Sequence, residues 1–272
     1  MTNPITRGAV VCGVDRSPAS RIALTEAAQI ARLEHRPLHI VHSERPPVER
    51  VADDALSFVR TEFPGLGVHA TVGDADPRQA LGNASSEAFL IVVGSRGSGG
   101  FHNLRLGSVS QWVAQHATCP TLVVRPSSQP DAPVLLGTDT TAVSADATEF
   151  AFAQAALRST RLVVVHCFDE YFQGGYGLTG VPDDDLEGLP DQRLAVSESI
   201  AGLREKYPDV EVELELGRGS PAAYLARAAH RARLLVVGSR QRSSTAAFLT
   251  GSVSRSVVEH APCSVAVVPA RH

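Results

Sequence analysis

One stretch of this chain is written twice, 144 residues apart: Leu90-Ile91-Val92-Val93-Gly94-Ser95-Arg96 returns as Leu234-Leu235-Val236-Val237-Gly238-Ser239-Arg240. The copies stay in step through Gly107-Ser108-Val109-Ser110 and Gly251-Ser252-Val253-Ser254. They agree again at His116-Ala117-Thr118-Cys119 and His260-Ala261-Pro262-Cys263. Matched segments with one internal spacing mark a tandem duplication, so the fold of one half binds the other. What each copy keeps is a strand running into a Gly-rich turn, whose backbone N–H groups suit an anion, most often a phosphate. With 272 residues there is room for two domains, each with its own core.

Short apolar runs bounded by turn residues read as strands buried on both faces of a parallel sheet. In the first half these are Ala9–Asp15, Leu38–His42, Gly67–Val72, Phe89–Val93 and Thr121–Val124. Helices are expected between them: after Ser17-Pro18, where serine caps and proline suits the first turn, over Ala52–Thr61, from Asp76-Pro77 to about Ala88, and over Ser108–His116. Strict alternation of strand and helix implies right-handed crossovers and a doubly wound α/β sheet. The second half repeats the order, with Val134–Asp139 and Leu162–His166 as its first two strands at an offset of 124. By Tyr207-Pro208, paired with Phe63-Pro64, the offset has grown to 144, so about twenty residues were gained between Cys167 and Leu194. That segment is rich in glycine, aromatics and acids and reads as a long loop, a candidate lid over the second half. A polar linker, Pro126–Asp131, divides domains at 1–127 and 132–272.

A formal charge of -4 gives no basic excess with which to bind nucleic acid through its phosphates. No apolar run approaches the ~20 residues of a membrane span, and Met1–Gly8 has no signal-peptide core. Cys12, Cys119, Cys167 and Cys263 sit in or beside strand-like runs without a CxxC pair, which suggests buried, reduced thiols, no structural metal and a cytoplasmic location.

In a doubly wound sheet, ligands bind beyond the carboxyl ends of the strands where strand order reverses. Three features of each half meet there: the acid closing the first strand (Asp15, Asp139), the end of the second (Val41-His42, Val165-His166) and the glycine loop after the fourth. Gly94 and Gly97 let backbone amides face a phosphate without an intervening side chain. Gly107-Ser108 opens the next helix, whose first amides and the Ser108 hydroxyl suit the same anion, with Arg96 and Arg105 as neutralising charge.

The spacing Gly-x2-Gly-x9-Gly-Ser, with Gly-x-Asp-x-Ser at the first strand, resembles the universal stress protein family in its tandem-domain, ATP-binding form. The likeness runs over nearly the whole chain, as two copies. It implies strand order 3-2-1-4-5 in each half, the adenine-nucleotide alpha-hydrolase-like fold, and fifth strands that meet to form a pseudo-dimer within the chain. It implies ATP, with magnesium as its companion cation, as the cofactor. Asp15 would then contact the adenosine, the Val41 backbone the adenine, and Gly94, Gly97, Gly107 and Ser108 the phosphates. A further two-fold pairing of chains, a homodimer, is a separate expectation. In the second half Asp139, Val165, Gly238, Gly251 and Ser252 remain, but Gln241 stands where Gly97 stands, which weakens or retunes that pocket.

Plainer readings apply to single residues. A glycine between strand and helix often serves the turn alone; Asp15 can help cap the helix at Ser17; His42 and His166 suit strand ends, and His116 and His260 suit helix C-termini. Asp183-Asp184-Asp185 reads as a solvated run rather than a metal site. The leading expectation is a nucleotide-dependent stress-response switch with no catalytic residue. Slow ATP hydrolysis and recognition of another adenine nucleotide, cyclic AMP included, are the alternatives.

Overall fold

The computed structural model describes residues 5–97, 106–126, 129, 131–168, 190–239 and 252–270 (for Ser252, the backbone only). The first half runs β1 (Val10–Gly13), α1 (Pro18–Leu33), β2 (Leu38–Ser43), α2 (Glu49–Glu62), β3 (Val68–Gly73), α3 (Pro77–Ala84), β4 (Leu90–Gly94), α4 (Ser108–His116), β5 (Thr121–Val124). The second runs β6 (Val134–Thr138), α5 (Ala145–Leu157), β7 (Leu162–Phe168), α6 (Pro190–Lys206), β8 (Val212–Arg218), α7 (Pro221–Ala228), β9 (Leu234–Ser239), α8 (Ser252–His260), β10 (Ser264–Pro269).

The strands lie in the order β3-β2-β1-β4-β5-β10-β9-β6-β7-β8. Each half is therefore 3-2-1-4-5, as the resemblance implied. The two sheets fuse into one, because β5 and β10 pair antiparallel with Val123 opposite Val265 and Thr121 opposite Val267. Every other pairing is parallel. These two apolar strands would otherwise be exposed edges, and pairing them satisfies their ladders at once.

Residues alternate between two cores along each strand, as a sheet covered on both faces requires. Val10, Cys12, Leu90 and Val92 face the side covered by α1, α2, α5 and α6. Val11, Ile91 and Val93 face the side covered by α3, α4, α7 and α8. All four cysteines are thiols. Burial pushes Cys119 up to about 12 and Cys263 up to about 11. Cys167, expected to be buried like the rest, is only half-buried, because it lies at the end of β7 where the sheet leaves its cover.

Ser17 caps α1, accepting the Ser20 N–H, with Pro18 in the first turn. In the second copy Thr141-Ala142 replaces Ser17-Pro18. Without proline to preset the backbone, the chain passes through Thr140 at φ 61 and a 3-10 turn at Ala142–Ser144 before α5 begins. Helix α3 ends at Ala84, short of the expected Ala88, where the Ser85 hydroxyl bonds back to the Gly82 carbonyl at 2.6 Å. The inserted loop falls mostly in 169–189, outside the described residues.

Candidate functional site

Strand β1 has β2 on one side and β4 on the other, so the reversal of order opens a crevice at the carboxyl ends of β1 and β4. Asp15, half-buried, follows β1 there. Its Oδ1 accepts the Ser17 N–H at 2.9 Å and the Ser17 hydroxyl at 2.6 Å. The Ser17 Oγ also stands 3.1 Å from the Arg96 carbonyl. One hydroxyl hydrogen serves both, and the shorter, charged acceptor takes the larger share. Ser20 Oγ accepts the Asp15 N–H at 2.9 Å and donates to the Asp15 carbonyl at 3.1 Å. Asp15 is thereby fixed at the N-terminus of α1, where its negative charge suits the helix dipole.

The glycine loop closes against this acid. A Cβ on Gly97 would stand 2.9 Å from Asp15 Oδ2, so only glycine brings the backbone this near the carboxylate. Gly94 has a different reason. A Cβ there would come within 2.7 Å of the Ala19 carbonyl carbon and 2.9 Å of the Ser20 nitrogen, so the residue lets β4 meet the first turn of α1. Gly107 caps α4 with no side-chain bond, and its own N–H donates to the Ser95 carbonyl at 2.8 Å. A Cβ on Gly107 would lie 3.4 Å from the Gly97 nitrogen. Gly97, Gly107 and the exposed Ser108 thus form a bare backbone surface at the start of α4, whose first amides have no intrahelical acceptors. The Ser110 hydroxyl ties α4 to β4 through the Gly94 carbonyl at 2.6 Å. Arg96 is exposed beside it; Arg105 lies outside the described residues.

At β2, Val41 is buried and its carbonyl accepts the Val14 N–H at 2.9 Å. His42 Nδ1 lies 2.9 Å from the Val14 carbonyl, which can only accept, so Nδ1 carries a proton. Nε2 faces Glu44 Oε2 at 3.6 Å, and Arg16 reaches the same carboxylate oxygen at 2.7 Å. His42 therefore does more than end a strand: it locks β2 to β1 beside the crevice. His166 repeats the contact with the Thr138 carbonyl at 3.0 Å. His116 bonds within its own helix, to the Trp112 carbonyl at 2.8 Å, in keeping with a structural role.

The second copy holds the same corner differently. Asp139 is exposed, and its Oδ1 accepts the Thr141 N–H at 3.1 Å and the Thr141 and Ser144 hydroxyls at 2.7 and 2.6 Å. Among the described residues, a Cβ on Gly238 would meet nothing nearer than 3.7 Å, since α5 starts later than α1 does. Val165 is buried in β7. Gly251, Gln241 and the Ser252 side chain lie outside the described residues.

The motifs contained Ser17, read as a helix cap, and Ser110, but not their roles in holding Asp15 and Gly94, and they missed Ser20. A signal was present: Thr141, Ser144 and Ser254 keep a hydroxyl at the matching positions of the second half. Among the described residues no helix is long and apolar enough to cross a membrane, and no cluster of three or more His, Cys, Asp or Glu could hold a metal.

The fold and this corner define a tandem, doubly wound α/β protein with an anion-suited helix start at its topological switch point. The model of the universal stress protein family matches residues 49–125 and 132–269. A universal stress protein of Mycobacterium tuberculosis is 33% identical over 287 residues, covering 95% of each chain. One of Mycolicibacterium smegmatis is 31% identical over the full length of both. Among solved structures, a Pseudomonas aeruginosa protein described as functionally unknown superposes at TM-score 0.73, with 17% identity over 97% of this chain and 93% of its own. A universal stress protein of Archaeoglobus fulgidus superposes at 0.63, with 21% identity over 96% and 98%. This chain belongs to the universal stress protein family, as a tandem of two such domains.

Proposed function

We propose that the chain binds an adenine nucleotide, ATP with magnesium, in the crevice of the first half, and acts as a nucleotide-dependent stress-response switch. The observation that carries this reading is the placement of Gly97 directly against Asp15 and of Gly107, at the uncapped start of α4, against Gly97. A helix N-terminus with glycine approaches on both sides accommodates phosphate oxygens, and a nearby fixed carboxylate suits ribose hydroxyls. Arg96 supplies charge at the rim. The β2 end, held by His42, offers the adjoining wall for the base.

The groups that meet here are amides, hydroxyls and a carboxylate already engaged by Ser17, which supports holding a nucleotide over cleaving it. Binding energy of this kind favours the ground state as much as a transition state. The output would then be a shift in population between loop arrangements, one of them selected by the nucleotide. Association of two chains in the cytoplasm belongs to the same proposal, and sedimentation with and without ATP tests the first part.

The direct test is calorimetry of the purified chain with magnesium and ATP, ADP or cyclic AMP, alongside release of ADP over time. Tight ATP binding with negligible turnover supports the reading. Absence of heat with all three nucleotides would end it, and turnover lost in Ser108→Ala would replace it with an ATPase.

A further inference from the structure

The two halves differ at the carboxyl end of their third strands, beside the wall assigned above to the base. In the first half Ser43 of β2 pairs with Gly73 of β3. Among the described residues, a Cβ on Gly73 would meet only Ser43 Oγ, at 3.8 Å, so none of them covers the space over it. In the second half the matching pair is Cys167 and Gly217. Here a Cβ on Gly217 would fall 2.8 to 2.9 Å from three atoms of the Tyr224 ring. The ring takes the place a side chain at Gly217 would occupy, a volume that no described residue fills in the first half.

The exchange behind this is one residue. Tyr224 stands in α7 where Ala80 stands in α3, 144 positions earlier, and both pack on the core face that also holds Val41 and Val165. Everything around Tyr224 holds it in place. Its hydroxyl donates to Glu215 Oε1 at 2.5 Å, and Arg231 pairs with the other oxygen of that carboxylate. The Arg227 guanidinium carbon lies over the ring, 5.1 Å from its centre. Burial, then the Glu215 carboxylate, raises the phenol above its ordinary value, so it stays a donor throughout the neutral range. In the first half Glu215 and Arg231 are matched by Thr71 and Glu87, which could not build this latch. Tyrosine, its acceptor and the acceptor's cation are thus peculiar to the second copy.

We infer that Tyr224, latched by Glu215 and Arg231, occupies the base subsite of the second half, so that one chain takes a single adenine nucleotide, in the first half. This rests on the nucleotide reading proposed above. A duplicated binding fold would then have become one binding half joined to one pre-closed half. The closed half would hold without ligand the packing that a base supplies in the other, a fixed partner for the half that switches.

The test is calorimetric stoichiometry with magnesium ATP on the intact chain. The expected value is near one per chain for the wild type. Ala80→Tyr places a ring over Gly73 and should lower first-half affinity at least tenfold, with thermal unfolding verifying that the variant is folded. Tyr224→Ala, alone or with Gln241→Gly, should raise the count toward two. Near two sites in the wild type, unaltered binding in Ala80→Tyr, a second site opened by Gln241→Gly alone, or a count of one in the double variant would each overturn the inference and leave the nucleotide reading standing. No binding by the wild type would overturn both.

Discussion

A Cβ on Gly97 would stand 2.9 Å from Oδ2 of Asp15, so the glycine loop and the acid after β1 share one contact surface. Gly97→Ala would push the carboxylate aside and loosen its bonds to Ser17. The acid end of a side chain can swing, so the fold tolerates the change within about 1 kcal/mol. On the nucleotide reading proposed above, affinity for ATP should nonetheless fall about tenfold, or roughly 1.4 kcal/mol, because the loop amides and the carboxylate move together. Equal affinity in calorimetry, with an unchanged melting curve, would show that the contact serves only the turn.

The paired glycines at the ends of β4 and β9 give opposite expectations for stability. At Gly94 a methyl group meets the backbone of α1 at 2.7 Å, and neither element can yield without shifting a layer. Gly94→Ala should destabilise the chain by about 2–3 kcal/mol, the cost typical of overpacking. At Gly238 the nearest atoms among the described residues are 3.7 Å away, an ordinary contact. Gly238→Ala should be neutral, or stabilising by about 0.5 kcal/mol through the unfolded chain. Urea unfolding of both variants checks the contrast; equal losses would refute the close strand–helix approach as its cause.

That contrast also shows what a repeat conceals. The alternation of strands and helices and the convergence of Asp15, Gly97 and Gly107 were legible because apolar runs and glycine spacing are local signals, whereas the strand order and the meeting of β5 with β10 came from the resemblance to the family. Gly94 and Gly238 look alike in sequence, yet only the first is pressed by a helix, a difference set by Pro18 against Ala142 and visible only once α1 and α5 are placed. Tyr224 escaped notice for the same reason. A tyrosine in a helical run reads as surface or core until the bare backbone of Gly217 is found beneath it.

His39 gives the fold a pH dependence of definite sign. It lies in β2 with Nε2 2.8 Å from Thr71 Oγ1, while Nδ1 is buried without a partner among the described residues. Burial, and then His69 on β3 with its ring 6.5 Å away, lower its proton affinity in the folded state. The unfolded chain therefore binds the proton more readily. Stability should be full above about pH 6.5, the value of an unperturbed histidine, and decline as pH falls through the window toward the lowered folded value. His39→Gln keeps a hydrogen-bonding group near Thr71 and removes the titration. Urea midpoints measured between pH 7.5 and 5 should slope less in this variant, and a slope equal to the wild type would assign the dependence to other groups.

Arg125 joins the halves at the end of β5, and its removal should be felt across the whole sheet. The guanidinium is buried and donates to the Val258 carbonyl at 2.5 Å and the Cys263 carbonyl at 3.4 Å, near the C-terminus of α8. Its N–H donates to Ser264 Oγ at 3.1 Å, beside the β5–β10 pairing. Burial lowers its proton affinity, yet a guanidinium remains charged at neutral pH. The positive charge at the end of α8 suits the helix dipole and satisfies carbonyls that the last helical turn leaves over. Arg125→Met keeps much of the volume and loses these donors, a cost of about 2–3 kcal/mol. Arg125→Lys restores the charge with a single narrow head and should recover only part of the loss. Because the residue sits where the halves are zipped together, the urea midpoint of the intact chain should drop for both halves alike. If fluorescence of Trp112 in the first half and helical ellipticity of the whole chain report the same lowered midpoint, the clasp couples the halves; a wild-type midpoint in Arg125→Met would show that the strand pairing alone carries that coupling.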